Sequence, residues 1–186
     1  MSNSFSHRLT ASPPHRLIVQ LSAVARRLLP SGSSSSYDTV MDQDAEKRFF
    51  SEANAQNSTR ETNAAARLLQ WARDRKLGIW WGGEDGEDCF APYLDRGGER
   101  YFLFTAWAGG RVEVDFQYMK GRPVFDSDGA RRELMDRFNE IIGIEFPLDS
   151  LNRRPSVPLI ILSSKTVMEQ FLAVWEWYLA RLAELA

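Results

Sequence analysis

The sequence predicts an α+β fold, an antiparallel meander of three to four strands with helices packed on one face. Three observations carry this. From Arg111 the chain alternates strictly, Val112, Val114, Phe116 and Tyr118 against Arg111, Glu113, Asp115 and Gln117, the period of a strand with one buried and one wet face. Glycine pairs at Gly97-Gly98 and Gly109-Gly110 supply the backbone freedom of hairpin turns. Before and after this block, apolar residues recur at helical spacing.

Taken in order, residues 1–43 differ from the rest. They are rich in Ser and Pro, hold no acid before Asp38, and place Leu17, Leu21, Val24 and Leu28 on one helical face with Arg16, Gln20 and Arg27 opposite. Three readings fit: a targeting peptide, a flexible tail with a short helix, or a start placed too early, with the chain beginning at Met41. Residues 44–186 are expected to form a single α+β domain.

Asp44 to Gln56 predicts a short helix anchored by Phe49 and Phe50. Ser58 followed by Glu61 fits a capping box for a helix over Thr59–Lys76, with Ala64, Ala65, Leu68, Leu69 and Ala72 on one side and Gly78 as its stop. Ile79-Trp80-Trp81 is extended, and Gly82 to Asp88 is an acidic, glycine-rich loop. Phe90 to Asp95 is a strand whose Pro92 implies an edge or a bulge. Arg96–Glu99 turns into the hairpin of Arg100–Tyr118. A helix over Gly129–Ile142, capped by Ser127 or Asp128, presents Leu134, Phe138, Ile141 and Ile142. Asn152–Pro158 reads as a stiff loop and Leu159–Leu162 as a strand or a helical turn. The last helix, Lys165–Leu185, carries a wide stripe from Met168 to Leu182.

Composition narrows the chemistry. Both histidines, His7 and His15, lie in the first 15 residues. A His-based triad, a Cys–His pair or a His-rich zinc site within the remainder would therefore need the tail to fold back. Cys89 is the sole cysteine; no internal disulfide can form, and a reducing compartment is the simplest setting. No run of about 18 apolar residues occurs, so no membrane span is expected. Four of the 23 basic and one of the 25 acidic residues lie in residues 1–40, which leaves the remainder near −5. That balance argues against broad binding to nucleic acid.

Four constellations bear on function. Glu113, Asp115 and Gln117 are expected side by side on the wet face of one strand. Strand carboxylates at i and i+2, joined by Asp95 on a neighbouring strand and Glu61 on a helix, suit a metal-dependent nuclease-like site, although Lys120 has the wrong parity to serve it. The ordinary reading is a solvated sheet face. The acids of Glu84–Asp88 lack the spaced ligand pattern of a calcium loop and read as a solvated turn. Of six tryptophans, Trp80 and Trp81 are adjacent in an extended segment, so one must face outward; they mark a binding rim. Arg122, Arg131, Arg132, Arg153 and Arg154 form a basic set, in which Arg131 and Arg132 at a helix start suit either an anion or pairing with Asp126, Asp128 and Glu133. The α-β-β-β-α order resembles double-stranded-RNA-binding domains in topology alone. Cys89 has no base near it in sequence and reads as a small buried hydrophobe.

The stretch Leu69–Trp177 resembles an uncharacterised bacterial α+β domain of unknown function, found alone or beside restriction- and DNA-repair-type modules. The residues that carry the likeness are Trp71-Ala72, Ile79-Trp80-Trp81-Gly82, Phe90-Ala91-Pro92-Tyr93-Leu94, Tyr101-Phe102-Leu103-Phe104, Trp107, Gly110–Val114, Phe116-Gln117, Pro123, Phe125 and Arg154–Leu159. The resemblance implies a bacterial, cytoplasmic protein in a nucleic-acid-linked or defence context, and it brings no activity with it. The expectation is therefore a non-enzymatic binding domain without cofactor or bound metal. Its partner, protein or nucleic acid, is engaged through Trp80, Trp81, Glu113, Asp115, Gln117 and Arg122. The alternative is the nuclease-like site of Asp95, Glu113 and Asp115.

Overall fold

A computed structural model describes residues 36–83 and 86–184; the readings of residues 1–35 lie outside the described residues. The chain divides into Met1–Ser36 and Tyr37–Ala186, and the fold below is that of the second unit.

Two helices open it, α1 (Ser36–Gln56) and α2 (Thr59–Asp74). The capping box between them forms as expected: the Ser58 hydroxyl accepts from the Glu61 N–H, and the Glu61 carboxylate accepts from the Ser58 N–H at 3.0 Å. Helix α2 ends two residues early. Lys76, at φ 56, makes the left-handed reversal expected of Gly78, and the Leu77 N–H returns to the Ala72 carbonyl at 3.0 Å. Gly78 is freed to start a strand.

Six strands follow: β1 (Gly78–Gly82), β2 (Cys89–Arg96), β3 (Glu99–Phe102), β4 (Phe104–Trp107), β5 (Arg111–Val114) and, after an excursion, β6 (Ser156–Pro158). All pairings are antiparallel, in the order β1-β2-β4-β5-β6, with β3 also on β2. The sheet is thus larger than three to four strands, and part of the expected Asn152–Pro158 loop is its far edge. β3 and β4 are one strand broken by a bulge. The register changes between Tyr93↔Phe102 and Phe90↔Ala106, so Leu103 and Phe104 both turn inward. Pro92 faces this bulge, where its carbonyl accepts from the Leu103 N–H at 3.0 Å. A proline is tolerated there because its missing N–H would have faced the bulge.

Strand β5 stops at Val114. Phe116–Met119 is a short helix, α3, with Asp115 before it at φ −90, ψ 57. Burying both Phe116 and Met119 on adjacent turns requires helical spacing, and that overrides the period-two pattern read as far as Tyr118. Helix α4 (Asp128–Asn139) is capped by the Ser127 side chain. It ends before Ile142, which is 83% exposed, and its fourth inward residue is Arg131, at 1% exposure. A 3-10 turn (Leu148–Asn152) leads to β6. Leu159–Leu162 is a helical turn, α5, and α6 (Lys165–Ala183) closes the fold.

The helices lie on one face of the sheet, as expected. Phe90 and Trp81 meet Phe49 of α1, and Phe104 meets Trp71 of α2 and Phe171 and Trp175 of α6. Phe138 of α4 completes this aromatic core against Trp175, with ring centroids 5.3 Å apart. Among the described residues every ring contact between sheet and helices comes from this face.

Candidate functional site

Strand parity places the alternate residues on the other face. There, Gly78, Trp80 and Gly82 of β1 pair with Tyr93, Ala91 and Cys89 of β2; Cys89 pairs with Trp107, and Trp107 with Arg111. The adjacent tryptophans split as parity requires. Trp81 packs on Phe49 and Phe90 in the core, while the Trp80 ring lies over Gly82, where a Cβ would strike it. Gly78 is likewise roofed by the Tyr93 ring. Glycine on an outer strand here makes room for a flat aromatic on top of it. Arg100 stacks on Tyr93 at 3.8 Å and Arg111 on Trp107 at 4.8 Å. Trp80, Tyr93, Phe102 and Trp107 are all half-buried.

Beside Trp107 lies a network of acids and arginines. Glu113 does stand on this face, as expected of β5. Asp115, past the strand end, is buried, and Arg154 from the segment before β6 reaches both acids. Its Nε donates to Asp115 Oδ1, and its Nη2 is 2.6 Å from Glu113 Oε2. The latter N–H is not aligned for a hydrogen bond, so the contact is one of charge. Thr105 Oγ1 also donates to Asp115, at 3.4 Å. Arg111 continues the chain to Glu113 at 3.5 Å and to Glu87 at 2.7 Å, and Glu87 accepts the Gly109 N–H at 2.6 Å. The acidic loop is therefore tied down at its end: Glu87 holds the β4–β5 hairpin, and Asp88 lies 3.7 Å from Arg48 while its N–H binds Glu52. Its earlier acids, Glu84 and Asp85, are outside the described residues.

Burial raises the Asp115 carboxyl above its ordinary range, with Arg154 pulling the other way. Burial also pushes the Cys89 thiol up to about 12, helped by the nearby charge of Glu87. A thiol so placed is protonated and is a poor nucleophile.

The expected site residues do not form one cluster. Asp95 is held by Arg100 through two bonds of 2.7 and 2.8 Å at the hairpin end of β2. Strand geometry sets it on the order of 15 Å from Glu113. Glu113 and Asp115 converge on a guanidinium, and among the described residues no group of three His, Cys, Asp or Glu could hold a metal ion. Gln117 sits in α3, half-buried, not on the strand. Arg122 donates its Nε to the Arg100 carbonyl at 2.7 Å, covering the open side of β3. Of the other arginines, Arg131 is held internally by the Phe125 and Asp126 carbonyls and by Asp128, which for this residue is the pairing reading with Asp128. Trp107, Arg111 and Arg154 belong to the network described above but not to the expected site residues, although Arg154 stands in the basic set read from the sequence. Trp107 and Arg111 could have been found by counting outward equally from the Ala108–Gly110 turn. Nothing local links Arg154 to acids about forty residues earlier.

No family model matches the chain, and neither a curated protein nor a solved structure matches it.

Proposed function

We propose that this chain is a non-enzymatic binding domain that engages a protein partner through the helix-free face of its sheet. The observation that carries the reading is that Trp80, Tyr93, Phe102 and Trp107 are half-buried on one face, with Arg100 and Arg111 laid on two of the rings. Aromatic residues and arginine are the types enriched where protein interfaces have their energetic centres. The arginines of this face already hold carboxylates, Arg100 with Asp95 and Arg111 with Glu87, which leaves little positive charge to neutralise phosphates. A protein partner is favoured over nucleic acid for that reason. The nuclease-like alternative has no comparable support, since its carboxylates are separated or spent on Arg154. A cytoplasmic setting belongs to the same reading and rests on the single buried thiol of Cys89.

Affinity capture with the full chain tests this. Partner recovery is expected to fall at least tenfold with Trp107→Ala or Phe102→Ala and to persist with Ile142→Ala, on a surface away from the sheet, all three variants keeping the wild-type circular dichroism. Equal recovery by all variants, or recovery abolished by nuclease treatment, would overturn it.

A further inference from the structure

The edges of the sheet are not treated alike. β6 is three residues long, follows Pro155 and ends on Pro158, and a short, proline-bearing strand is a usual means of blunting an edge. The open side of β3 is covered by Arg122. β1, the opposite edge, is Gly-Ile-Trp-Trp-Gly, with no charge, proline or bulge.

Which of its backbone groups point outward follows from the register. The two-residue Gly97-Gly98 turn, at φ 59 and 80, closes on Arg96↔Glu99, which sets a hydrogen-bonded pair there and at every second pair along the ladder. Leu94 thus bonds β3, and Pro92 bonds the bulge through its carbonyl. Tyr93, Ala91 and Cys89 must then bond β1 through Gly78, Trp80 and Gly82. Pro92 opposite Ile79 requires the same phase, because a proline cannot donate to it. Ile79 and Trp81 consequently direct two N–H and two C=O groups away from the sheet, and none of these is bonded among the described residues.

We infer that this edge pairs with β1 of a second copy of the chain, antiparallel and centred on Trp80. In that register Ile79 lies opposite the other copy's Trp81, and the four outward groups of each strand are satisfied by those of its mate. Both of those side chains lie on the core-side face, and the two Trp80 rings meet on the other. Backbone geometry favours the antiparallel sense. Parallel pairing slants and staggers its bonds, so an edge with only two outward-facing residues would not match all four groups, whereas the two-fold antiparallel register does. The contact is short, so the dimer is weak and concentration-dependent rather than obligate. This inference does not rest on the binding function proposed above, whose test uses residues off the edge.

Sedimentation velocity of the full chain over roughly 1 to 500 µM is expected to show a monomer passing to a dimer. Trp80→Lys, which places two charges at the dyad, should keep it monomeric with an unchanged thermal midpoint. Trp80→Cys in a Cys89→Ala background should lock the dimer on mild oxidation, because facing residues of a non-hydrogen-bonded pair have Cα atoms about 4.5 Å apart, within disulfide reach. Thr166→Cys in the same background, exposed on α6, should cross-link at least tenfold more slowly. A wild-type chain that stays monomeric throughout overturns the inference. So does a dimer that persists in Trp80→Lys and that Trp80→Cys does not lock, since it would form through another surface. Dimerisation of residues 36–186 but not of the full chain also overturns it, by giving the edge to the chain's own first 35 residues.

Discussion

Arg154 Nη2 lies 2.6 Å from Glu113 Oε2, and the same guanidinium donates through Nε to Asp115, two residues further on. One cation thus neutralises two acids whose side chains are only 16% and 10% exposed. Removing it leaves buried negative charge facing itself. Arg154→Leu is expected to cost about 3–5 kcal/mol at pH 7, read from urea unfolding. Glu113→Gln with Asp115→Asn in the same chain should recover most of that loss. The deficit also depends on pH. Burial already holds the Asp115 carboxyl above its ordinary 3.8, and without Arg154 it rises further. The folded variant then binds a proton that the unfolded chain releases, so its stability increases as pH falls. A deficit that is the same at pH 7 and pH 4 would contradict this.

Asn57, between α1 and α2, fastens the β4–β5 turn to the first two helices. Asn57 Nδ2 donates to the Ala108 carbonyl at 2.5 Å and to the Ala53 carbonyl at 3.0 Å. Gly110, at φ 89, lies so close that a Cβ would strike the Asn57 amide. Gly110→Ala is expected to destabilise by about 1–3 kcal/mol through the left-handed backbone and this clash. Asn57→Ala should cost about 1–2 kcal/mol for the two lost bonds. The double variant should lose less than the sum, since Asn57→Ala removes the clash partner. Additive losses in thermal melts would show that the two residues are not coupled.

Trp80 and Trp81, neighbours in sequence, should lose unequal amounts of stability on truncation. Trp81→Ala empties a place against Phe49 and Phe90, and about 2–4 kcal/mol of stability should go with it. Trp80→Ala removes a ring from the helix-free face and should cost under about 1 kcal/mol. Equal costs in chemical denaturation would mean that the two faces are buried alike.

Alkali should weaken the fold before it reaches the arginines. Cys89 is shifted from 9.0 to about 12 by burial. Burial raises Tyr101, Tyr118 and Tyr178 above 10 as well. Each group stays protonated in the folded chain while the unfolded chain ionises, so stability falls as pH climbs from about 9 to 12. For each group the slope is at most about 1.4 kcal/mol per pH unit. The urea midpoint at pH 10.5 is expected to lie below that at pH 8, and a thiol reagent at pH 8 should label Cys89 only as fast as the chain unfolds. Prompt labelling in the native state would refute the burial of this thiol.

Much of the fold was legible in local sequence because its causes are local. The Ser58–Glu61 capping box, the Ser127 cap, the glycine turns, the Pro92 bulge and the stripe of α6 each depend on residues within a few positions of one another. The split of Trp80 from Trp81 follows from parity alone. What could not be read locally required distant segments to meet. Strand β6 is a strand only because β5 accepts it in register, Val112 opposite Val157. The period-two run of β5 ends at Val114 because core space for Phe116 and Met119 makes the chain turn helical. Above all, the role of Glu113 and Asp115 was decided by Arg154. Spacing brought the two acids close together, but only the tertiary fold supplied the cation between them, since electrostatic pairing depends on distance in space and not on separation along the chain.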